Sequence, residues 1–178
     1  MKNRKLNRLK NYDYSQNGFY FVTLCTKNRI EYFGRIENGK MILNEFGEFA
    51  EKCWYEIPEH FPNVRLDEFV IMPNHIHGVI VIVQNVGNDV VGNKNFCSLP
   101  NWQTKLSRSL SSIIRGFKIG VTKYFRQKDN FEFAWQKSFY DKIIRDENEL
   151  FNIRNYIRNN PLKWELEKDR DHIENFDL

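Results

Sequence analysis

The feature that most constrains the fold is a pair of extended segments separated by only three residues. Residues 76–84, IHGVIVIVQ, form the most β-branched stretch of the chain, and residues 65–72 precede it, with Pro73, Asn74 and His75 between them. Runs rich in Val and Ile predict buried strands. We therefore expect residues 76–84 to form a central strand of a sheet, and Pro73-Asn74 to place the residues that follow at a strand end.

Further strands and helices follow from local patterns. Residues 19–26, FYFVTLCT, predict a strand, and Asn38-Gly39 predicts a tight hairpin between residues 33–37 and 40–43. Apolar residues at helical spacing predict three helices. These are a helix capped by Asn44 with the stripe Phe46, Phe49, Ala50, Cys53, Trp54 and Ile57; a basic helix over residues 104–127; and a last helix capped by Asp146 and Glu149, with the stripe Leu150, Ile153 and Ile157, that Pro161 ends.

The order of these elements favours an α+β fold, a ferredoxin-like or RRM-like antiparallel sheet covered by helices. Residues 135–145 are predicted to be extended or loop-like. The length of 178 residues fits a single domain spanning 1–178. Within it we expect a basic N-terminal arm (1–12), a variable loop (85–103) and an acidic tail (165–178).

Charge is unevenly distributed although the formal net charge is only +4. Between Thr104 and Lys128 the chain carries seven basic residues and no acid, among them Arg115, Lys118, Lys123 and Arg126. Such segregation indicates a basic surface for a polyanion, but a charge run is more often a solvated face. The four named residues are therefore candidate phosphate contacts of a nucleic acid.

Cysteine usage and hydropathy bear on localisation. Cys25, Cys53 and Cys97 are scattered and odd in number, which argues against a disulfide framework and against a zinc knuckle. No apolar run approaches the roughly 20 residues of a membrane span. We expect a cytoplasmic protein without membrane association.

His75 and His77 form the first candidate site. Side chains two apart on a strand point to the same face, so two imidazoles at a strand end can bind one divalent cation. The alternative is a pair of partly exposed surface histidines. His60 and His172 have no comparable neighbours in the sequence.

Tyr156 and Asn160 form the second candidate pair, because residues four apart are neighbours on a helix. Asn160 offers a neutral oxygen that suits Mg²⁺ or Mn²⁺. Tyr156 offers a phenol that can attack phosphorus. From residue chemistry alone, a packing role for this aromatic ring remains the stronger interpretation.

Five motifs in this order resemble those of the REP-associated tyrosine transposases, the small single-strand transposases of the HUH type. The resemblance runs from about Arg8 to Trp164. The motifs are YFVTLCTKNR (20–29), MPNHIHGVIVI (72–82), SLSSIIRGFKIGVTKYF (109–125), WQKSFYDKIIRDENEL (135–150) and NYIRNNPLKW (155–164).

The resemblance implies a role for each candidate. His75 and His77 would be the metal-binding histidines, Asn160 the third ligand of Mg²⁺ or Mn²⁺, and Tyr156 the nucleophile that forms a 5′-phosphotyrosine. Tyr140 ranks second as nucleophile, because the residue four positions later is Ile144. The implied substrate is single-stranded or hairpin DNA of the REP kind, used by a monomer or a homodimer in the bacterial cytoplasm near the nucleoid.

Two other functions remain open at this point. One is a DNA-binding regulator that has kept the fold but lost turnover. The other is a metal-dependent nuclease in which water attacks phosphorus. In a homodimer, the tyrosine helix could also serve the metal site of the partner subunit.

Overall fold

A computed structural model describes residues 12–83 and 108–174, with side chains described up to residue 168. The strands are β1 (Gly18–Cys25), β2 (Gly34–Glu37), β3 (Lys40–Leu43), β4 (Val64–Met72), β5 (His75–Ile82) and β6 (Tyr140–Ile144). The helices are α1 (Glu45–Tyr55), α2 (Ile57–His60), α3 (Leu110–Gln127) and α4 (Glu147–Glu174). The predicted variable loop, Cys97 and all but the last residue of the predicted N-terminal arm lie outside the described residues.

Four strands form an antiparallel sheet in the order β4-β5-β1-β6, and β2 pairs with β3 in a separate hairpin. The predicted α+β class with an antiparallel sheet is confirmed, and β5 is a central strand as expected. β6 lies in the segment predicted to be extended or loop-like, and it is an edge strand.

Side-chain alternation divides the core between the two faces of the sheet. On one face, Tyr20, Val22 and Leu24 of β1 pack with the apolar side of α3 and with Trp54 of α1. On the other face, Phe21 and Val79 pack with Leu150, Ile153 and Ile157 of α4, which confirms the predicted stripe. Helix α4 therefore covers the face that carries the odd-numbered residues of β5, including His75 and His77.

Gly78 allows Trp54 of α1 to pack closely against β5. A Cβ atom at this position would lie 2.3 Å from the Trp54 ring. Only glycine allows the indole to lie flat against the strand here. Gly78 thus lets α1 approach the sheet from the side opposite the candidate site.

The helix caps follow the predicted chemistry with one correction. Asn44 accepts a hydrogen bond from Gly47 N at 3.0 Å, and Asp146 accepts one from Glu149 N at 2.8 Å. The predicted start of the basic helix at residue 104 is wrong, because Arg108 and Ser109 are not helical. Ser109 has an extended backbone and accepts a hydrogen bond from Ser112 N, so it caps a helix that begins at Leu110.

The prediction that Pro161 ends the last helix is also wrong. α4 continues through Pro161 to Glu174, so much of the predicted acidic tail is helical. Proline removes one backbone hydrogen bond from a helix interior, and tertiary contacts beyond it compensate. The Trp164 ring lies 5.6 Å from that of His75, and Lys168 Nζ forms an ion pair with Glu31 at 2.9 Å.

Among the described residues, no helix combines the length and the apolar character that crossing a membrane requires.

Candidate active site

The register of three strands assembles the histidine pair. Cys25 and Thr23 of β1 lie opposite His75 and His77 of β5, and Met72 of β4 pairs with His75 from the other side. His75 is 5% exposed and His77 6%, so the pair is not a set of surface histidines. Their Nε2 atoms are 3.0 Å apart. The strand spacing predicted from sequence therefore brings two imidazole nitrogens to one point.

Each ring has a hydrogen-bond partner at its outer nitrogen. Asn74 Nδ2 donates to Arg29 O at 3.0 Å, so Asn74 Oδ1 faces His75 Nδ1 at 2.8 Å and accepts a hydrogen bond from it. With His75 neutral, its Nε2 is then an acceptor. His77 Nε2 lies 3.0 Å from it, and Thr23 Oγ1 forms a hydrogen bond with His77 Nδ1 at 2.9 Å, in which either atom can be the donor depending on the tautomer of His77. Asn74 and Thr23 thus orient both rings.

Helix α4 brings Tyr156 and Asn160 to the histidine pair, as the family resemblance implies. The Tyr156 hydroxyl lies 3.2 Å from His77 Nε2, and the two ring centroids are 5.1 Å apart. Tyr156 is 41% exposed and Asn160 is 7% exposed. The phenol is therefore held at the rim of the core by one edge and open to solvent on the other.

Two ion pairs on either side of Tyr156 attach α4 to the sheet. Arg154 Nε and Nη2 bind the two carboxylate oxygens of Asp67 at 2.7 and 2.5 Å, and Arg158 binds Glu68. The register of β4 shifts between Leu66 and Phe69, which is where these two acids lie. The hydrogen bonds from Arg154 lower the pKa of Asp67. This irregularity in β4 fixes the rotation of α4 and with it the position of the phenol.

A cavity of about 220 Å³ contains the four predicted residues and shows which neighbours the sequence analysis missed. Its wall also includes Thr23, Arg29, Lys163, Trp164 and Glu167. Thr23 and Arg29 are part of the motif at residues 20–29, so their presence in a motif was the only available signal. Lys163 and Glu167 continue the helix face of Tyr156 and Asn160, but the predicted stop at Pro161 excluded them.

The donor set suits a single divalent cation. No group of three His, Cys, Asp or Glu side chains suited to a metal ion gathers within residues 12–83 and 108–168, so a cation bound to the imidazole pair would take its third ligand from a neutral oxygen. His75, His77 and Asn160 supply such donors on one cavity wall. Two nitrogens with an amide oxygen are compatible with Mn²⁺ and with Mg²⁺. Both histidines have the second hydrogen bond that usually accompanies a metal-ligating imidazole.

The surroundings keep both rings neutral. Burial lowers the pKa of His75 to about 4 and that of His77 to about 3, and the positive charge of Arg29 adds to both shifts. A neutral imidazole has a free lone pair at neutral pH, so a cation does not have to displace a proton.

These shifts predict an acid-sensitive protein in the absence of metal. The folded pKa values lie below the ordinary value of 6.5, so the unfolded chain binds protons first and stability falls as the pH drops from about 6.5 toward 4. At pH 5 we expect a loss on the order of 2 kcal/mol for each ring. Urea unfolding at pH 7 and pH 5 measures it. A His75→Asn/His77→Gln variant with the same pH dependence as wild type would contradict this assignment.

A second surface collects the predicted phosphate contacts. Arg115, Lys118, Lys123 and Arg126 all line one groove of about 740 Å³ along α3, and Lys137 and Phe139 complete its wall. Among the residues that the structure describes, no acidic side chain lines this groove. We call it the basic groove. Its four cations from α3 come together because they lie on one helix, whereas Lys137 comes from the segment that leads into β6.

Lys118 differs from the other cations of the basic groove. Its Nζ donates to Gln136 O at 3.0 Å and lies 5.7 Å from the Trp135 ring. Burial lowers the pKa of its ammonium group to about 8. Lys118 therefore packs at the base of the groove, and Arg115, Lys123 and Arg126 extend from its exposed wall.

Tyr140, ranked second as nucleophile, lies at the start of β6 and is 44% exposed. Its ring lies edge-to-face with that of Phe21, with the ring centroids 6.3 Å apart, and Phe21 stacks on His77. Tyr140 is not among the residues that line the cavity of the histidine pair. The geometry thus favours Tyr156 over Tyr140.

Two proteins of Haemophilus influenzae are similar to this chain in sequence. No protein-family model matches the sequence. An uncharacterized protein of Haemophilus influenzae is 44% identical over 172 residues, which cover 93% of this chain and 92% of that protein. Another protein of the same organism, described as a "Putative REP-associated tyrosine transposase", is 26% identical over 151 residues, covering 85% of this chain and 74% of that protein.

A solved structure agrees with the second relative. The structure of a REP-associated tyrosine transposase bound to a REP hairpin superposes with a TM-score of 0.56 at 17% identity, and the match covers 88% of this chain and 73% of that one. The resemblance predicted from the five motifs is thus supported by weak sequence homology and by a common fold. The chain belongs to the same family as the 44% identical Haemophilus influenzae protein, and it shares the fold of a REP-associated tyrosine transposase.

Proposed function

We propose that this protein is a transposase that cuts and rejoins single-stranded DNA through a covalent bond to Tyr156. The observation that carries the proposal is the 3.2 Å separation of the Tyr156 hydroxyl from His77 Nε2, next to an imidazole pair held in place by Asn74 and Thr23. A phenol beside a potential cation site, with an open side toward solvent, has the arrangement that nucleophilic attack on phosphorus requires.

In the proposed reaction, the Tyr156 oxygen forms a bond to phosphorus, and the bond from phosphorus to the 3′ oxygen breaks. The phenol releases one proton and the departing 3′ oxygen takes one up. The products are a 5′-phosphotyrosine and a free 3′-OH, and a 3′-OH from another DNA end reverses the step. The phosphodiester energy is kept in the covalent bond, so no nucleotide cofactor is needed.

His75, His77 and Asn160 would hold Mg²⁺ or Mn²⁺ in this site. When bound, the cation would offset negative charge on the phosphate. Thr23 can serve both forms of His77, because its hydroxyl can donate to Nδ1 or accept from it. The protein can thus free both Nε2 lone pairs without moving the rings.

The basic groove supplies the proposed DNA contacts. Arg115, Lys123 and Arg126 present charge for phosphates. One protein with this fold is bound to a REP hairpin. We propose a DNA hairpin with a single-stranded flank as the substrate, which would contact the basic groove on one face of the sheet and reach Tyr156 on the other face with its flank.

A labelled-DNA assay tests the proposal directly. Oligonucleotides that carry a hairpin and a randomised single-stranded flank are incubated with the protein in Mg²⁺, Mn²⁺ or a chelator and separated on a denaturing gel. With a 3′ label we expect a band that migrates with the protein. With a 5′ label we expect a short free fragment that ends in a 3′-OH, and both products require the cation.

The other two functions give different products in the same assay. Cleavage without a protein-linked band would indicate a nuclease in which water attacks. Hairpin binding without cleavage under any metal condition would indicate a binding protein without turnover. Either pattern would overturn the proposed chemistry.

Charge reversal in the basic groove is expected to weaken DNA binding and its salt dependence. An Arg115→Glu/Lys123→Glu variant loses two phosphate contacts, so the slope of log affinity against log salt should fall by between about 1 and 2. An Arg35→Glu/Lys52→Glu variant carries the same change in charge at two exposed positions outside the groove. Fluorescence anisotropy at several salt concentrations measures both. Equal losses in the two variants would show that the groove is not the contact surface.

A further inference from the structure

Arg29 lies in the wall of the candidate active site in an unusual backbone conformation. It ends a short 3₁₀ turn, Lys27–Arg29, that follows β1. Asn28 and Arg29 both have a φ of 57°, in the left-handed region. Residues other than glycine rarely adopt this backbone conformation, which costs roughly 1 kcal/mol or more. Two consecutive residues of this kind persist only where surrounding contacts hold them.

Asn74 provides the contact that holds Arg29. Its buried side-chain amide donates to Arg29 O at 3.0 Å and accepts from His75 Nδ1 at 2.8 Å. The backbone of Asn74 is fixed in turn, because its carbonyl accepts from Thr26 N and from Thr26 Oγ1, each at 3.0 Å. One amide therefore sets both the turn that carries Arg29 and the ring of His75.

The charge of Arg29 is available to a ligand. Within residues 12–83 and 108–168, its guanidinium forms no ion pair with a carboxylate, and Arg29 is an exposed residue that lines the cavity. Lys163, the other cation in this wall, lies 3.6 Å from Glu167.

We propose that Arg29 is a catalytic residue that binds a non-bridging oxygen of the scissile phosphate. This role rests on the proposed function. A guanidinium donates two parallel hydrogen bonds to phosphate oxygens, and it stabilises the extra negative charge that develops as the Tyr156 oxygen approaches phosphorus. The ligand is a phosphodiester. Because the Asn74 amide holds both the turn that carries Arg29 and the ring of His75, phosphate binding by Arg29 depends on the same amide that orients His75.

The test compares two substrates that differ in charge at the scissile position. One has an ordinary phosphodiester, and the other has a neutral methylphosphonate in which a methyl group replaces one non-bridging oxygen. Removing one such stabilising group commonly costs about 10²- to 10³-fold in rate. We expect Arg29→Ala to lower the rate of adduct formation by this factor on the phosphodiester. On the methylphosphonate, the variant should react within about tenfold of wild type, because there is less charge to stabilise.

Two further variants separate chemistry from folding. Arg29→Gly suits a positive φ and should behave as Arg29→Ala does. Arg35→Ala removes an exposed arginine of the β2–β3 hairpin, outside the cavity, and should react like wild type.

Three results would overturn the role of Arg29. They are an Arg29→Ala rate equal to that of wild type on the phosphodiester, an equal loss on both substrates, and no adduct from the variant on the methylphosphonate. Absence of an adduct with wild type on the phosphodiester would instead overturn the proposed function itself.

Discussion

Replacing Tyr156 with phenylalanine is expected to abolish covalent attachment of DNA while leaving the fold and DNA binding intact. The substitution removes only the hydroxyl that lies 3.2 Å from His77 Nε2. The ring would keep its edge contacts with His77 and Phe21. Loss of a nucleophile lowers turnover by on the order of 10⁴-fold or more in enzymes that depend on one. Adduct formation measured on a denaturing gel should fall below detection.

Tyr140→Phe is the matched control for this variant. Tyr140 is exposed to a similar extent, 44% against 41% for Tyr156, and it also contacts Phe21, but it does not line the cavity. We expect its adduct yield to equal that of wild type. If Tyr156→Phe still becomes attached to DNA and Tyr140→Phe does not, the two roles must be exchanged.

Removing either histidine of the pair is expected to have an equally large effect through loss of the cation. His75 and His77 are the two nitrogen donors in the cavity, and their Nε2 atoms lie 3.0 Å apart. Loss of a group that merely orients a ligand costs about 10- to 100-fold in metal affinity or activity. Loss of the ligand itself, in His75→Ala or His77→Ala, should therefore weaken Mn²⁺ binding by more than about 100-fold and abolish adduct formation.

His60→Ala is the control, because His60 lies at the exposed end of α2 and outside the cavity. Isothermal titration with Mn²⁺ measures affinity, and circular dichroism checks that each variant remains folded. Unchanged Mn²⁺ affinity in both histidine variants, with folding intact, would show that the imidazole pair does not bind the cation.

Patterns of short range predicted the elements of the site. Alternation along a strand placed His75 and His77 on one face, and a spacing of four placed Tyr156 beside Asn160. Both predictions depend only on the geometry of one strand or one helix. The charge run on α3 likewise predicted the basic groove, because Arg115, Lys118, Lys123 and Arg126 share one helix.

The remaining parts of the site depend on contacts between distant segments. Thr23 reaches His77 only because of the register between β1 and β5. The irregularity in β4 that presents Asp67 and Glu68 to α4 leaves no signal in the local pattern. Pro161 shows the opposite problem, since its local preference is overridden by contacts such as that between Trp164 and His75. Local rules fail here because tertiary packing decides the outcome.

The chemical identity of the residue that carries the DNA decides whether Tyr156 is the nucleophile. The wild-type adduct, formed with Mg²⁺ or Mn²⁺, is digested with trypsin and nuclease and analysed by tandem mass spectrometry. We expect a nucleotide joined through its 5′ phosphate to Tyr156, within residues 155–158, and no such peptide when the cation is chelated. Attachment to Tyr140 or to any other residue would contradict it.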